Sequence, residues 1–235
     1  ARDGINKLKD VLAHFPWVSD CDRSTAIAAI LTSLVRRSLR TAPLFAFRAP
    51  KMGSGKSLLA DVVSMMATGR AASVMTQGKD EDEDRKRLLA ILMEGESVAC
   101  IDNIERPLGG AAICSVLTQV SYRDRVLGRT GMATVSTATT WLATGNNLQF
   151  AGDISTRALV SDLDPLCERP EERVFETNLN EFVPKNRHML VPAALTVLRA
   201  YHMAGRPSQG LSVFGRFEEW SDLVRSAIVW SGEAD

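Results

Sequence analysis

The sequence lacks the cysteine and histidine patterns of metal-binding and disulfide-bonded proteins. It contains four cysteines and three histidines in 235 residues, and no two cysteines have CxxC spacing. The cysteines are Cys21, Cys100, Cys114 and Cys167, two of them within apolar runs. A zinc site or a disulfide framework is therefore not indicated, and we expect buried, reduced thiols.

Long apolar runs and an excess of one charge are also lacking. No stretch reaches the ~20 apolar residues that span a bilayer, and the first residues do not have a signal-peptide pattern. We therefore expect a cytoplasmic protein with no membrane partner. Basic and acidic residues both total 28, so the net charge is zero. This balance gives no global sign of a nucleic-acid partner and leaves only a local basic patch as an indicator.

The most informative motif lies at residues 49 to 57, which read Ala-Pro-Lys-Met-Gly-Ser-Gly-Lys-Ser between an apolar run and an apolar helical pattern. Gly53 and Gly55 allow a tight turn whose N–H groups face phosphate oxygens at a helix N-terminus. Lys56 would reach the β- and γ-phosphates, and Ser57 would ligate Mg²⁺. The predicted nucleotide-binding residues are Pro50, Lys51, Met52, Gly53, Ser54, Gly55, Lys56, Ser57 and Leu58.

Pro50 stands where the usual phosphate-loop pattern has glycine. This departure leaves the phosphate-contacting residues unchanged. The alternative is a glycine-rich turn in an unrelated α/β protein, but the order of strand, loop and helix favours nucleotide binding. We therefore predict ATP and Mg²⁺ as cofactors.

A second part of the site is predicted at the apolar strand Ser97–Ile101, which delivers Asp102 at its carboxyl end. Ligands of open parallel sheets bind at this edge, so Asp102 would hold Mg²⁺ together with Ser57. Many ATPases place glutamate next, whereas this chain has Asn103, with Glu105 two residues later. Either Glu105 acts as the base, Asn103 orients the water, or activity is low. The alternative is a core strand ending in a solvated aspartate.

Two further elements complete the predicted catalytic set. The strand from Thr140 leads into Gly-Asn-Asn, where Asn146 or Asn147 would sense the γ-phosphate, unless the sequence is only a turn. Arg157 starts the following strand and is placed to act on a neighbouring subunit as an arginine finger, with an ordinary surface ion pair as the alternative.

The alternation of strands and helices predicts a three-layer α/β sandwich with a parallel sheet. We expect strands near 44–48, 72–76, 97–101, 132–137, 140–143 and 158–163, and helices at 56–68, 187–203 and 218–230. The acidic run Lys79–Asp84 is interpreted as a solvated helix start. We divide the chain into an N-terminal helical segment (1–42), a nucleotide-binding core (43–168) and a C-terminal helical lid (169–235).

Four features of the chain resemble an AAA+ ATPase core in their order. They are the phosphate loop, the acidic strand end, the Gly-Asn-Asn sequence and the arginine that follows it. Further stretches resemble the helicase-type AAA+ module of phage, plasmid and integrative-element primase–helicase replication proteins, related to superfamily 3. Among them are Ile-Asp-Asn-Ile at 101–104, Gly-Asp-Ile-Ser-Thr-Arg at 152–157 and Leu-Asp-Pro-Leu-Cys-Glu-Arg-Pro-Glu-Glu-Arg at 163–173. The resemblance spans nearly the whole chain, from about residue 20 to residue 235.

This resemblance implies a ring-forming ATPase, usually hexameric, that moves single-stranded or forked DNA through its centre. It also implies a DNA-gripping β-hairpin at about 121–139, where Arg123, Arg125 and Arg129 cluster around a turn at 128–131. A solvated hairpin with unrelated arginines is the alternative. By its position in the lid, Arg187 is a candidate second sensor of phosphate.

Three functions remain open from the sequence. The first is a DNA helicase or translocase that hydrolyses ATP. The second is an ATP-dependent loader or protein remodeller without unwinding activity. The third is a nucleotide-binding module with weak hydrolysis, which Asn103 suggests. The basic hairpin distinguishes the first from the second.

Overall fold

The structure is a computed structural model that describes residues 1–128, 131–173 and 177–235. Its strands are β1 (Leu44–Ala49), β2 (Ser73–Thr76), β3 (Val98–Asp102), β4 (Ser121–Arg125), β5 (Met132–Ser136), β6 (Thr140–Asn146) and β7 (Ala158–Asp162). Its α-helices are α1 (Arg2–Leu12), α2 (Asp20–Val35), α3 (Lys56–Thr68), α4 (Glu81–Glu94), α5 (Ala111–Thr118), α6 (Leu179–Met203), α7 (Glu218–Trp220) and α8 (Ser226–Trp230).

Five strands form a parallel sheet in the order β2-β3-β6-β1-β7. Strands β1, β3 and β6 are buried along nearly their whole length, as the apolar runs predicted. The chain passes from β1 to the edge strand β2 and then returns across the sheet through β3 and β6. Because β-α-β crossovers are right-handed, helices that connect strands in opposite directions lie on opposite faces of the sheet. Helix α3 therefore lies on one face, and α4 and α5 lie on the other. The predicted α/β class with a parallel sheet between helical layers is therefore confirmed.

The first helices pack onto the α3 side of the fold. Helix α2 begins at a capping box in which Ser19 and Asp22 exchange side-chain and backbone hydrogen bonds, so two orphan helix N–H groups are satisfied. It contacts α3 and β7, while α1 packs along α6. Asp22 also accepts a 2.6 Å hydrogen bond from the Asp162 N–H, which ties the start of α2 to the end of β7.

In the C-terminal part, one helix is longer than the sequence predicted, and the last helical stretch has its predicted bounds but is less regular. Helix α6 starts at Leu179 and contains Pro184 and Pro192. The last helical stretch passes through a π-helical turn, Ser221–Arg225, between α7 and α8. The indole of Trp220 donates a 2.7 Å hydrogen bond to Thr32 Oγ1 of α2. One hydrophobic cluster joins residues of the N-terminal, central and C-terminal segments.

The predicted insert between α5 and β6 contains an antiparallel hairpin, β4–β5. Directly opposite pairs alternate between two faces, with Arg123 facing Thr134 and Arg125 facing Met132. Both arginines are exposed. The third predicted arginine, Arg129, lies outside the described residues.

The cysteines depart in part from the expectation of burial. All four are free thiols, but only Cys100 is buried, while Cys21 is exposed and the other two are half-buried. Burial in β3 raises the pKa of the Cys100 thiol well above its usual value. The expectation of a buried thiol is therefore wrong for Cys21, because that residue lies at the solvent-facing start of α2.

Candidate functional site: the phosphate loop and the carboxyl edge of the sheet

The loop between β1 and α3 has the backbone conformation of a phosphate cradle. Gly53 and Gly55 have φ values of 72° and 96°, in the left-handed region that favours glycine. Gly55 is also the N-cap of α3, so the first N–H groups of that helix open toward the loop. The hydroxyl of Ser54 closes the turn by donating 2.9 Å to the Lys51 carbonyl.

Lys56 connects this loop to the neighbouring strand. Its Nζ donates to Asn146 Oδ1 at 2.7 Å and to the Lys51 carbonyl at 3.1 Å. Asn146 is brought there because β6 pairs with β1 and places it opposite Ala49. Burial lowers the pKa of Lys56, and the nearby Asp102 carboxylate opposes this shift.

The two candidate sensor asparagines have different surroundings. Asn146 points its amide oxygen at Lys56, whereas Asn147 has a left-handed φ of 51° and donates its backbone N–H to the Ala49 carbonyl at 3.2 Å. Asn147 therefore forms the turn that follows β6. Asn146 is the residue whose side chain faces the cradle.

Asp102 lies at the carboxyl end of β3 and contacts the predicted magnesium ligand Ser57. Ser57 Oγ donates to Asp102 Oδ1 at 3.0 Å. The Thr144 hydroxyl donates to the same carboxylate oxygen, and the Asn103 N–H donates to Thr144 at 3.1 Å. Sequence reasoning missed Thr144, although a hydroxyl two residues before Asn146 on a strand next to β3 was a usable signal.

The donor set fits Mg²⁺ better than a softer metal. A serine hydroxyl and a carboxylate are hard oxygen ligands, and magnesium commonly takes one or two protein ligands together with phosphate and water oxygens. Within the described ranges, no group of three or more His, Cys, Asp or Glu residues is arranged to hold a metal on its own. A magnesium ion at Ser57 and Asp102 would therefore depend on the phosphates of a bound nucleotide.

Asn103 and Glu105 lie beside this carboxylate and are both exposed to water. Asn103 has a φ of 53°, which asparagine tolerates better than most residues. Its Nδ2 donates to Glu105 Oε1 at 3.2 Å. The amide thus holds a carboxylate that can accept a proton from water.

A cavity of about 310 Å³ opens directly from the cradle. Gly53, Ser54, Gly55 and Leu58 form one wall. The other walls come from distant segments of the chain, namely His14, Phe15, Pro16, Arg173, Thr177, Asn178 and Leu179. The lining is mostly apolar with a few polar groups, which is typical of a small-molecule pocket. No local motif marks these residues, because folding brings them together from both ends of the sequence.

The segment after β7 also borders the cradle. Lys51 Nζ donates to the Cys167 carbonyl at 3.1 Å. A Cβ atom built on Gly53 would lie only 3.0 Å from the Glu171 nitrogen. Arg173 donates to the His14 carbonyl at 2.9 Å and so connects this segment to the N-terminal wall of the cavity.

Arg187 does not lie at the phosphate loop, and its predicted role is corrected. Its guanidinium donates to the carbonyls of Met66 and Ala67 at 2.9 and 2.7 Å. These carbonyls lie in the last turn of α3, about 15 Å from its first turn at 1.5 Å rise per residue. Arg187 therefore caps the C-terminus of α3, where a cation interacts favourably with the helix dipole.

Arg157 also differs from its predicted arrangement. Its side chain is only 11% exposed and pairs with Asp153 at 3.2 Å. Its carbonyl accepts the Leu44 N–H, so it lies at the amino edge of the sheet, opposite the cradle. The prediction that the side chain projects out of its subunit is corrected, because packing covers it and Asp153 of the same chain holds it.

The hairpin presents a basic face to solvent. Arg123, Arg125, Thr134 and Met132 share the outer face of β4–β5. On the inner face, Asp124 is buried and accepts hydrogen bonds from Tyr122 at 2.7 Å and from Arg85 of α4 at 3.1 Å. The structure thus separates the two predicted functions, with nucleotide groups at the sheet edge and exposed arginines on the hairpin.

Fold and site together define the P-loop nucleoside-triphosphatase fold class. The parallel sheet, the glycine-bearing loop before α3 and the acidic end of β3 carry this assignment. Within the described part of the chain, no helix is both long and apolar enough to cross a membrane.

No family model matches the sequence, and no curated protein is significantly similar to it. Among solved structures, an apo A-form structure of the NrS-1 C-terminal region has a TM-score of 0.56 and 14% identity, covering 98% of this chain and 51% of that chain. A second apo A-form structure, of the NrS-1 C-terminal region 305–718, has a TM-score of 0.54 and 13% identity. It covers 95% of this chain and 50% of that chain.

A JCV helicase structure has a TM-score of 0.43 and 12% identity, covering 94% of this chain and 66% of that chain. The present chain spans about half the length of the NrS-1 chains that it matches. The likeness to the NrS-1 structures, at 13–14% identity, establishes the fold alone.

Proposed function

We propose that this chain is the ATP-hydrolysing module of a DNA helicase or translocase that assembles into a ring. The observation that carries the ATPase part is the meeting of four groups at the carboxyl edge of the sheet. Lys56 contacts Asn146, and Ser57 contacts Asp102, across three neighbouring strands. Phosphate-binding, metal-binding and sensing groups are thereby brought to one place.

In the proposed site, the loop N–H groups and Lys56 bind the β- and γ-phosphates of ATP. Ser57 and Asp102 would hold Mg²⁺, which would supply positive charge to the phosphate oxygens. Lys56 leaves Asn146 Oδ1 for the phosphates, and Asn146 Nδ2 donates to the γ-phosphate and so reports whether that group is present. The cavity beside Gly53 accepts the nucleobase, with Phe15 and Leu58 against its ring faces.

We assign the attacking water to Glu105. Its carboxylate accepts the proton as the water oxygen bonds to the γ-phosphorus and the bond to the ADP oxygen breaks. Asn103 holds Glu105 through its amide and can orient the same water. This arrangement replaces the adjacent glutamate of related ATPases with a carboxylate two residues further along.

The DNA-binding part of the proposal rests on the hairpin. Two exposed arginines on one face can bind successive phosphates of a single strand. Arg129 is included in this basic set from the sequence. The resemblance to helicase-type AAA+ modules supports the ring, and a hexamer is the form that it implies. The edge of the cradle is open, with Met52 77% exposed, which leaves room for a neighbouring subunit.

The test is the ATPase rate with and without single-stranded DNA, together with the molecular mass in the presence of an ATP analogue. We expect turnover that Lys56→Ala abolishes, stimulation by DNA, and a mass several times that of the 25.6 kDa chain. Arg123→Ala with Arg125→Ala should remove stimulation and lower the salt slope of DNA binding by about 1.4, at roughly 0.7 per phosphate contact.

Arg199→Ala is the matched control, because Arg199 is an exposed arginine on α6, which packs on the α3 side of the fold. It should leave stimulation unchanged. Turnover without any response to DNA would contradict the helicase assignment and favour a loader or protein remodeller. Nucleotide binding without turnover would leave a nucleotide-binding module with weak hydrolysis.

A further inference from the structure

The buried side of the hairpin is attached to helix α4. Arg85 Nη1 donates to Asp124 Oδ1 at 3.1 Å, and the Tyr122 hydroxyl donates to the other oxygen of the same carboxylate at 2.7 Å. We call Arg85, Tyr122 and Asp124 the hairpin anchor. Asp124 lies between Arg123 and Arg125 in β4, so this contact fixes the strand that presents both exposed arginines.

The start of α4 is attached to the loop that follows Glu105. Arg106 forms an ion pair with Asp84, and its guanidinium also donates to the Gly78 carbonyl at 3.3 Å. Gln77 and Arg106 exchange two hydrogen bonds, side chain to backbone, at 3.2 and 3.3 Å. Asp84 accepts the Gly78 N–H at 2.6 Å. We call Gln77, Gly78, Asp84 and Arg106 the loop anchor.

The two anchors meet on consecutive residues of one helix. Asp84 and Arg85 point about 100° apart around α4, so one reaches the loop and the other reaches the hairpin. The helix start is itself well fixed, because Asp80 caps it by accepting the Glu83 N–H at 2.9 Å. A Cβ atom on Gly78 would lie 2.6 Å from Glu83 Cβ, so the segment between β2 and α4 packs tightly against the first turn of the helix.

We propose that α4 couples the nucleotide site to the DNA-binding hairpin, with Asp84 and Arg85 as its positioning residues. This inference rests on the proposed function, because it concerns how DNA at the hairpin changes the rate of ATP hydrolysis. A shift of the Asn103–Glu105 segment moves Arg106, and α4 carries that movement to Asp124. Neither positioning residue contacts nucleotide or DNA.

The experiment compares Arg85→Met with Lys86→Met, the matched control. Lys86 is the next residue of α4, and its ammonium pairs with Asp82 and Glu83 of the same helix. Three quantities are measured for each variant. They are the basal ATPase rate, the stimulation ratio (the rate with single-stranded DNA divided by the basal rate) and the salt slope of DNA binding. Basal turnover also reports that each variant is folded.

For Arg85→Met we expect a basal rate within about twofold of the parent and a stimulation ratio reduced by about fivefold or more, the lower end of typical coupling. Lys86→Met should behave as the parent. Asp84→Asn should lose stimulation as Arg85→Met does. In a double-mutant cycle with Asp124→Asn, the second substitution should add little to the first, because the two side chains act as one anchor.

Normal stimulation in Arg85→Met or in Asp84→Asn would overturn the inference while leaving the proposed function intact. Additive losses in the double-mutant cycle would do the same. A salt slope lower by about 0.7 in Arg85→Met would mean that Arg85 binds phosphate itself, which also overturns a positioning role. If the parent protein shows no stimulation by DNA, the proposed function fails first.

Discussion

The position of Asp102 depends on the Thr144 hydroxyl, which donates to its carboxylate from the neighbouring strand. We expect Thr144→Val to lower kcat by about tenfold or more, because partners that orient metal ligands typically cost 10- to 100-fold when lost. Steady-state kinetics over a range of Mg²⁺ concentrations measures this effect.

Thr140→Val is the control for that substitution. Thr140 lies on the same strand and is fully buried, and its hydroxyl has no hydrogen-bond partner among the described residues. Replacing an unsatisfied hydroxyl by a methyl group of the same shape should leave kcat unchanged and the stability equal or higher. Equal losses of activity in both variants would show that β6 tolerates no such replacement and that Thr144 has no special role.

The division of roles between Glu105 and Asn103 can be tested by two substitutions. Glu105→Gln removes the proton acceptor and should lower kcat by about 100-fold. Asn103→Gly keeps the left-handed backbone, which glycine adopts freely, and removes only the amide that holds Glu105. Its effect should be smaller. Single-turnover rates of the two variants measure this difference. If Asn103→Gly is slower than Glu105→Gln, the main role in handling the attacking water belongs to Asn103.

The sequence was sufficient to propose the site residues that belong to short local motifs. Lys56 and Ser57 follow the glycine loop, and Asp102 and Asn146 end buried strands, so pairing of parallel strands brings them together. Sequence spacing could not predict the walls of the cavity, since they come from residues 14–16, 173 and 177–179. It also failed for Arg187, whose partners depend on how α6 packs against α3.

At the scale of elements, Arg36 joins the end of α2 to the base of the hairpin. Its buried guanidinium donates to the carbonyls of Leu39, Thr137 and Thr139 at 2.8 to 3.2 Å. Burial lowers the pKa of Arg36 to about 10, so the group remains charged at neutral pH. Thr137 leads out of β5 and Thr139 leads into β6.

We expect Arg36→Met to destabilise the protein by about 2–4 kcal/mol, because three buried carbonyls lose their donor. Urea denaturation measures the change. Arg37→Met, at the exposed neighbouring residue, should fall within about 0.5 kcal/mol of the parent. A small effect of Arg36→Met would mean that water replaces the guanidinium at this junction.

Secondary structure was predictable where the apolar period is clear. The predicted strands at 44–48 and 158–163 differ from β1 and β7 by one residue at one end. The predicted strand at 97–101 is shifted by one residue from β3, and α3 has its predicted bounds. Helix α6 was predicted only from 187, whereas it begins at Leu179 and continues through Pro184, a residue type that usually ends or kinks a helix. Packing against α1 and α3 supports the helix on both sides of this proline. The π-helical turn before Ser226 has no local signal.

At the scale of the whole molecule, the proposed ring predicts that subunits complete one another's sites. The covered position of Arg157 argues that this residue supports its own subunit instead. We therefore expect mixtures of Arg157→Ala and Lys56→Ala proteins to show no recovery of ATPase activity. Recovery toward about a quarter of the parent rate would show that Arg157 leaves Asp153 and acts across an interface. Melting curves of Arg157→Ala should show lower stability.

The order of strands has a consequence for synthesis of the protein. β1 carries the phosphate loop, but its neighbours in the sheet are β6 and β7, about a hundred residues further along the chain. Closing so long a loop is slow, and domains form as units during translation. A nascent chain that has not yet released residue 140 from the ribosome contains the entire cradle motif without either strand that holds it. Nucleotide binding should therefore appear only after both strands have emerged, and a chain terminated before β6 should have no affinity for ATP with which to compete with the finished protein.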